Sequence, residues 1–211
     1  MQKSSTTNRY IPQGRSTCKP FSKIAAGGGL MAVFMLVLAI VVISPPVASA
    51  EARNCSNPGP SLSRFAPAVP PRPVTQQPFF DANDASVTLG DYKGQGLILN
   101  FWATWCPPCI KELPALAHLK KILANDGIGV IALSVDRGGA PVVKAFLEKI
   151  GITNLDILID KRGKVQRKLR SSGLPTTILI DPDGVERGRI VGYAEWDTPD
   201  AIDFIRRCVG P

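Results

Sequence analysis

Beyond residue 90 the chain alternates short apolar runs with segments of helical period. Gly96 to Trp102 reads Gly-Leu-Ile-Leu-Asn-Phe-Trp, a run of strand length that predicts a strand buried on both faces. Pro107 to Leu123 places Ile110, Leu113, Leu116, Ala117, Leu119 and Leu123 at helical spacing. Gly129 to Val135 predicts a second buried strand, and Val142 to Ile150 an amphipathic helix stopped by Gly151. Leu155 to Ile159 is a short strand and Lys164 to Leu169 a short basic helix. Thr176 to Ile180 and Val185 to Val191 are strands joined by Asp181-Pro182-Asp183-Gly184, which has the residues of a tight turn. Thr198 to Cys208 forms a closing helix. Strands alternating with helices, then a final hairpin, predict an α/β sandwich whose central mixed sheet is flanked by helices. No internal repeat is visible.

The front of the chain has a different texture. Residues 1–23 are polar and basic with no periodicity, which predicts a disordered N-terminus. Residues 24–50 carry no charge, and Leu30 to Ile43 is almost wholly aliphatic, so 24–50 is a membrane anchor or a signal peptide. An anchor would use residues 24–43. A signal peptide would be cut near Ala50, after Ala48-Ser49-Ala50, with Pro45-Pro46 ending the helix just before. Either way, the basic residues ahead of the run place everything beyond residue 50 outside the cytoplasm. Residues 51–78 are proline-rich and read as an extended linker, so the globular domain is expected to span 79–211.

Charge changes the picture only by its distribution. The chain carries a net +8, but five basic and no acidic residues fall within residues 1–50, leaving 20 basic and 17 acidic residues, a net of +3, thereafter. The surplus is therefore a membrane-orienting signal, and no nucleic-acid partner is expected. One basic stretch survives, from Lys161 to Arg170. It is either a solvated helix face or a docking patch.

The candidate chemistry lies between the first strand and the first helix, at Trp105-Cys106-Pro107-Pro108-Cys109. A helix start presents free N–H groups and a positive dipole, which favour a thiolate, so Cys106 is expected to attack. Cys109, one turn on, can resolve a mixed disulfide formed at Cys106. Prolines in the first turn interrupt no intrahelical hydrogen bond. The reaction moves two electrons and requires no cofactor. A structural zinc site would need two further ligands, and neither His118, the single histidine, nor the scattered Cys18, Cys55 and Cys208 supplies them. No metal is expected. Cys55 and Cys208 lie beyond the membrane segment and outside the redox motif. They either pair as a structural disulfide in an oxidising compartment or stay free.

Asn100-Phe101-Trp102-Ala103-Thr104-Trp105-Cys106-Pro107-Pro108-Cys109, followed by Lys111-Glu112-Leu113-Pro114, resembles the active-site signature of thioredoxin-fold oxidoreductases of the TlpA type. Gly173-Leu174-Pro175-Thr176-Thr177 resembles their cis-proline loop, and Gly192-Tyr193-Ala194-Glu195-Trp196 the segment before their last helix. The resemblance spans roughly Pro78 to Arg207. It implies a thioredoxin-like fold in which Val142 to Ile159 is the TlpA-type helix–strand insert. It also implies a cis Pro175 beside Cys106, and Trp105, Pro107, Leu174 and Pro175 as substrate-binding residues. The implied function is reduction of particular protein disulfides in the periplasm, serving cytochrome c or cytochrome oxidase assembly. Such a protein would draw electrons from an upstream membrane donor and act as a monomer. One departure stands out: thioredoxins proper have a buried Asp where this chain has Asn100, and an amide cannot take a proton from Cys109. The base must then be water, a residue elsewhere, or absent; Glu112, on the helix just after Cys109, is either that base or an exposed helix-surface residue.

Three rival functions share this fold. A thiol peroxidase needs Thr three residues before its reactive cysteine, where this chain has Ala103. A copper-binding or copper-delivery protein needs a distant histidine, and His118 sits on the helix that follows the pair. A disulfide-generating oxidant would differ in potential rather than in motif.

Overall fold

The computed structural model describes residues 53–211. The expectations for 1–23, for the anchor or signal over 24–50 and for Cys18 lie outside the described residues. The elements run in chain order as β1 (Ala66–Pro73), β2 (Phe79–Phe80), β3 (Ser86–Val87), β4 (Gly96–Trp102), α1 (Pro107–Ile122), β5 (Ile128–Ser134), α2 (Gly139–Lys149), β6 (Leu158–Ile159), α3 (Lys164–Lys168), β7 (Thr176–Ile180), β8 (Val185–Val191) and α4 (Pro199–Val209). The strands form one mixed sheet in the order β1-β8-β7-β4-β5-β6-β2-β3.

Strand β4 is central and buried along its whole length. It runs parallel to β5 and antiparallel to β7, so its backbone is paired on both sides. Its side chains divide by the two-residue period of a strand. Leu97, Leu99 and Phe101 pack with Phe79, Ile131, Leu133, Val165 and Ile178 on one face. Ile98 and Trp102 point to the other face, where Ile98 meets Leu116, Leu119, Trp196 and Phe204, and Trp102 meets Cys109 and Leu113. Asn100 falls between Ile98 and Trp102 on that helix-covered face, and is itself fully buried. The insert supplies α2 and β6, and β6 extends the parallel part of the sheet beside β5. The mixed sheet flanked by helices is what the alternating pattern predicts, and it has the thioredoxin-like form that the resemblance implies.

The proline-rich segment differs from expectation. In place of a free linker, its described residues are packed on the domain: Leu62 is buried and Ala66–Pro73 pairs antiparallel with β8. Polyproline backbone and strand backbone occupy the same extended region, so a proline-rich stretch can lie along a sheet. Proline donates no hydrogen bond, which confines such a strand to an edge. The register breaks between Pro67 and Arg72, across Pro70-Pro71. Strands β2 and β3 are two residues each, too short for periodicity to reveal.

Candidate redox site

The site is built at the junction of β4 and α1. Cys106 is the N-cap of α1, with prolines at the first two helical positions. Its sulfur accepts the Cys109 backbone N–H at 3.3 Å, so a helix-start donor points at the atom expected to carry charge. Cys106 and Cys109 are joined as a disulfide, their Cα atoms 5.3 Å apart. Cys106 is 4% exposed and Cys109 is fully buried, so an incoming partner can reach only the first sulfur.

The loop before Cys106 is tied down by Asp136, just after β5. The Asp136 carboxylate accepts the Thr104 N–H at 2.9 Å and the Thr104 hydroxyl at 2.7 Å, and the Ser134 hydroxyl at 2.8 Å. Sequence reasoning missed this anchor. Its signal was a lone acid at the carboxyl end of a buried strand, the end where α/β sheets assemble their sites.

A cleft of about 1070 Å³ opens beside Cys106. Trp105, Pro107 and Leu174 line it with Cys106, which brings together three of the four residues expected to meet substrate. Pro175 does not line the cleft. It is buried behind Leu174, across a cis peptide bond as the resemblance implies. The Pro175 carbonyl accepts the Gly192 N–H at 2.8 Å, and Gly192 makes its turn at a φ of 89°. The backbone N–H and C=O of Leu174 have no partner among the described residues. Trp105 stands 66% exposed at the rim.

The structure removes one of the two alternatives left open for Glu112. Far from lying on an exposed helix surface, it is fully buried. Its carboxylate accepts Asn100 Nδ2–H at 2.6 Å, Trp196 Nε1–H at 3.1 Å and the Ala194 N–H at 3.3 Å. Asn100 Nδ2 also donates to Thr177 Oγ1 at 2.9 Å, while Asn100 Oδ1 has no partner. Burial pushes the Glu112 carboxyl up from its ordinary 4.5 to about 7, against the opposing pull of the Trp196, Asn100 and Ala194 hydrogen bonds and the Arg64 charge. Glu112 lies three residues beyond Cys109, on the same buried face of α1. A carboxyl group that gains and loses its proton near neutrality thus stands where Asn100 cannot serve. The period of α1 carries the missed signal, since Cys109, Glu112, Leu113 and Leu116 share one helical stripe. Gly192 to Trp196, singled out in the sequence only by resemblance, supplies the lid over this carboxylate.

The remaining candidates fall elsewhere. His118 is exposed on α1, its Nδ1 3.0 Å from Asp197 Oδ2, and does not line the cleft. Cys55 and Cys208 are joined, Cα atoms 4.5 Å apart, which fastens the segment before β1 to the last helix. Among the described residues, no group of three His, Cys, Asp or Glu side chains could hold a metal ion.

A thioredoxin-like sheet with a Cys-x-x-Cys pair at the start of the helix after its central strand defines a thioredoxin-fold dithiol protein. The chain belongs to the AhpC/TSA family, whose model matches residues 71–187. It is 39% identical over 104 residues to the thiol-disulfide oxidoreductase ResA of Geobacillus kaustophilus, a match covering 49% of this chain and 59% of that one. Against the ResA of Bacillus subtilis the identity is 38%, covering 49% and 57%. The chain therefore spans less than two thirds of the curated relatives it matches. In fold it is similar to a putative thiol:disulfide interchange protein DsbE of Chlorobium tepidum, with a TM-score of 0.58 at 24% identity, covering 64% of this chain and 94% of that one. It is also similar to StoA of Bacillus subtilis, with a TM-score of 0.52 at 23% identity, covering 62% and 99%.

Proposed function

We propose that this chain is an extracytoplasmic thiol–disulfide oxidoreductase that reduces disulfides of particular client proteins. The observation that carries the reading is a Cys106 that is 4% exposed and lines a cleft, backed by a fully buried Cys109 with a carboxyl of raised pKa one turn beyond. The reduced pair begins with a Cys106 thiolate attacking one client sulfur. The client S–S bond breaks, a Cys106–client bond forms, and the second client sulfur leaves as a thiolate. Cys109 gives its proton to Glu112 and attacks Cys106 Sγ. The mixed bond breaks, the client leaves as a dithiol, and the Cys106–Cys109 disulfide holds the two electrons' worth of oxidation. A membrane-borne dithiol donor resets the pair. Trp105, Pro107 and Leu174 hold the client, whose extended backbone pairs with the free N–H and C=O of Leu174.

Export is supported by the basic residues ahead of residues 24–50 and by the Cys55–Cys208 bridge beyond them, since such bridges persist in oxidising compartments. Among the described residues, no helix is long and apolar enough to cross a membrane, so attachment rests on residues 24–43 or is lost by cleavage near Ala50. The clients fitting this reading are proteins of cytochrome c or cytochrome oxidase assembly, served by a monomer.

The test is a trapping experiment. Cys109→Ser should accumulate a mixed disulfide with client protein, and Cys106→Ser should not; trapping by Cys106→Ser alone would reverse the assignment. The potential decides direction, because a reductant lies near −270 mV and a strong oxidant near −120 mV.

A further inference from the structure

The stretch from Lys161 to Arg170 contains six basic residues and no acid, and all six basic side chains are exposed. Sequence leaves it as either a solvated face or a docking patch. The structure separates the two by position. Lys161, Arg162 and Arg167 line the cleft that holds Cys106, and Arg137, from the other side of the insert, lines it too. Lys164, Lys168 and Arg170 do not. Half of the stretch is therefore turned toward the redox pair.

The cleft offers little negative charge in return. Asp136 is the one acid among its lining residues, and it is buried with its oxygens occupied by Thr104 and Ser134. Asp160, just below, is 1% exposed and spends its carboxylate on the Val165 and Gln166 N–H groups at the start of α3. Of the four cations, Lys161 is engaged by Asp84 and lies over the Phe80 ring, and Arg167 donates to the Arg162 carbonyl. The side chains of Arg137 and Arg162 have no partner among the described residues.

Resting on the reading of Cys106 and Cys109 as a client-reducing pair, we propose that the cleft selects disulfides flanked by acidic residues. The client's carboxylates meet Arg137 and Arg162 while its sulfur meets Cys106. The occupant is a peptide segment rather than an anionic bilayer, because the cations ring a concave site containing the reacting sulfur and the Leu174 backbone. Complementary charge of this kind acts chiefly on the rate of encounter and fades with salt.

The experiment uses the reduced full chain in phosphatidylcholine vesicles and three eight-residue peptides, each closed by a disulfide. The peptides carry two Glu, two Gln or two Lys beside the cysteines. Each reduction rate is divided by that peptide's rate with dithiothreitol, which removes the effect of charge on the disulfide's own reactivity. At about 10 mM salt, where the Debye length is roughly 30 Å, the Glu peptide should exceed the Lys peptide by about tenfold or more. At about 1 M salt, where that length is roughly 3 Å, the ratio should fall to within about twofold. Arg137→Glu with Arg162→Glu should invert the low-salt ratio, and Arg137→Gln with Arg162→Gln should bring it near one. A low-salt ratio near one in the unaltered chain overturns the proposal, as does a ratio indifferent to both double variants. If the ratio is near one and all three rates fall equally in vesicles made half of phosphatidylglycerol, the cations serve the bilayer, and the proposal is again overturned. Failure to reduce neutral hydroxyethyl disulfide would instead overturn the underlying reading of the pair, and the proposal with it.

Discussion

At the scale of single residues the molecule turns on Glu112. A carboxyl that titrates near pH 7 is matched to accepting a thiol proton at neutrality, since a general base works best when its pKa lies near the working pH. The rate at which Cys109 resolves a mixed disulfide should therefore rise through about pH 7 as Glu112 loses its proton. In Glu112→Gln that inflection should vanish and the rate above it should drop by about 10²-fold. Stopped-flow fluorescence across pH 5–9 would follow both, and an unchanged profile would assign the base elsewhere. Trp196→Phe keeps the ring packing but removes the Nε1–H bond that favours the ionised form. The inflection should then move to higher pH, whereas a purely structural Trp196 would leave it in place. Asn100 is suited to both states. As oriented, its Nδ2 donates to the carboxylate; turned over, its Oδ1 would accept a hydrogen bond from the O–H of the neutral acid and from the Thr177 hydroxyl. Residue type left Glu112 open between a base near Cys109 and a surface acid. Charge argued for the surface, while the helical stripe through Cys109, Leu113 and Leu116 argued for burial, and the stripe wins because three donors wait inside.

Among elements, the segment before β1 and the closing helix α4 are joined by the Cys55–Cys208 bridge. It spans a sequence separation of 153 residues, which in the chain-entropy model is worth roughly 3–5 kcal/mol. Replacing both cysteines with Ser should lower the urea midpoint accordingly and leave exchange at Cys106 within about twofold. A midpoint unchanged by the double variant would show that the bridge ties down nothing the rest of the fold has not already fixed. Long elements were readable: β4, β7 and β8 fall where the apolar runs put them, because each is buried enough to need an unbroken or alternating pattern. Strand β1 was not, because Pro67, Pro70, Pro71 and Pro73 argue against a strand to any rule based on ladder hydrogen bonding. It forms because, at the edge of the sheet, β1 pairs on one side only, with β8.

For the molecule as a whole, Glu112 also links stability to pH. Its folded pKa of about 7 exceeds the ordinary 4.5, so between those values the folded state binds more protons than the unfolded state. The stabilisation is fully present below about pH 4.5 and is lost as pH rises to about 7, by on the order of 3 kcal/mol. Urea midpoints of the oxidised chain should show this decline relative to Glu112→Gln, and parallel curves for the two proteins would refute it. The architecture was legible because alternating β and α patterns restrict the ways a chain can be layered. The cleft was not, since Arg137, Arg162 and Leu174 are brought together only by the insert folding back. The two ends of the sheet carry a last consequence. One end is β1, whose four prolines cannot donate to an incoming chain, and the other is β3, only two residues long. Neither can template a growing stack of strands. Under the proposed function, which brings this chain clients with opened disulfides and hence loosened structure, such edges keep it from joining their strands.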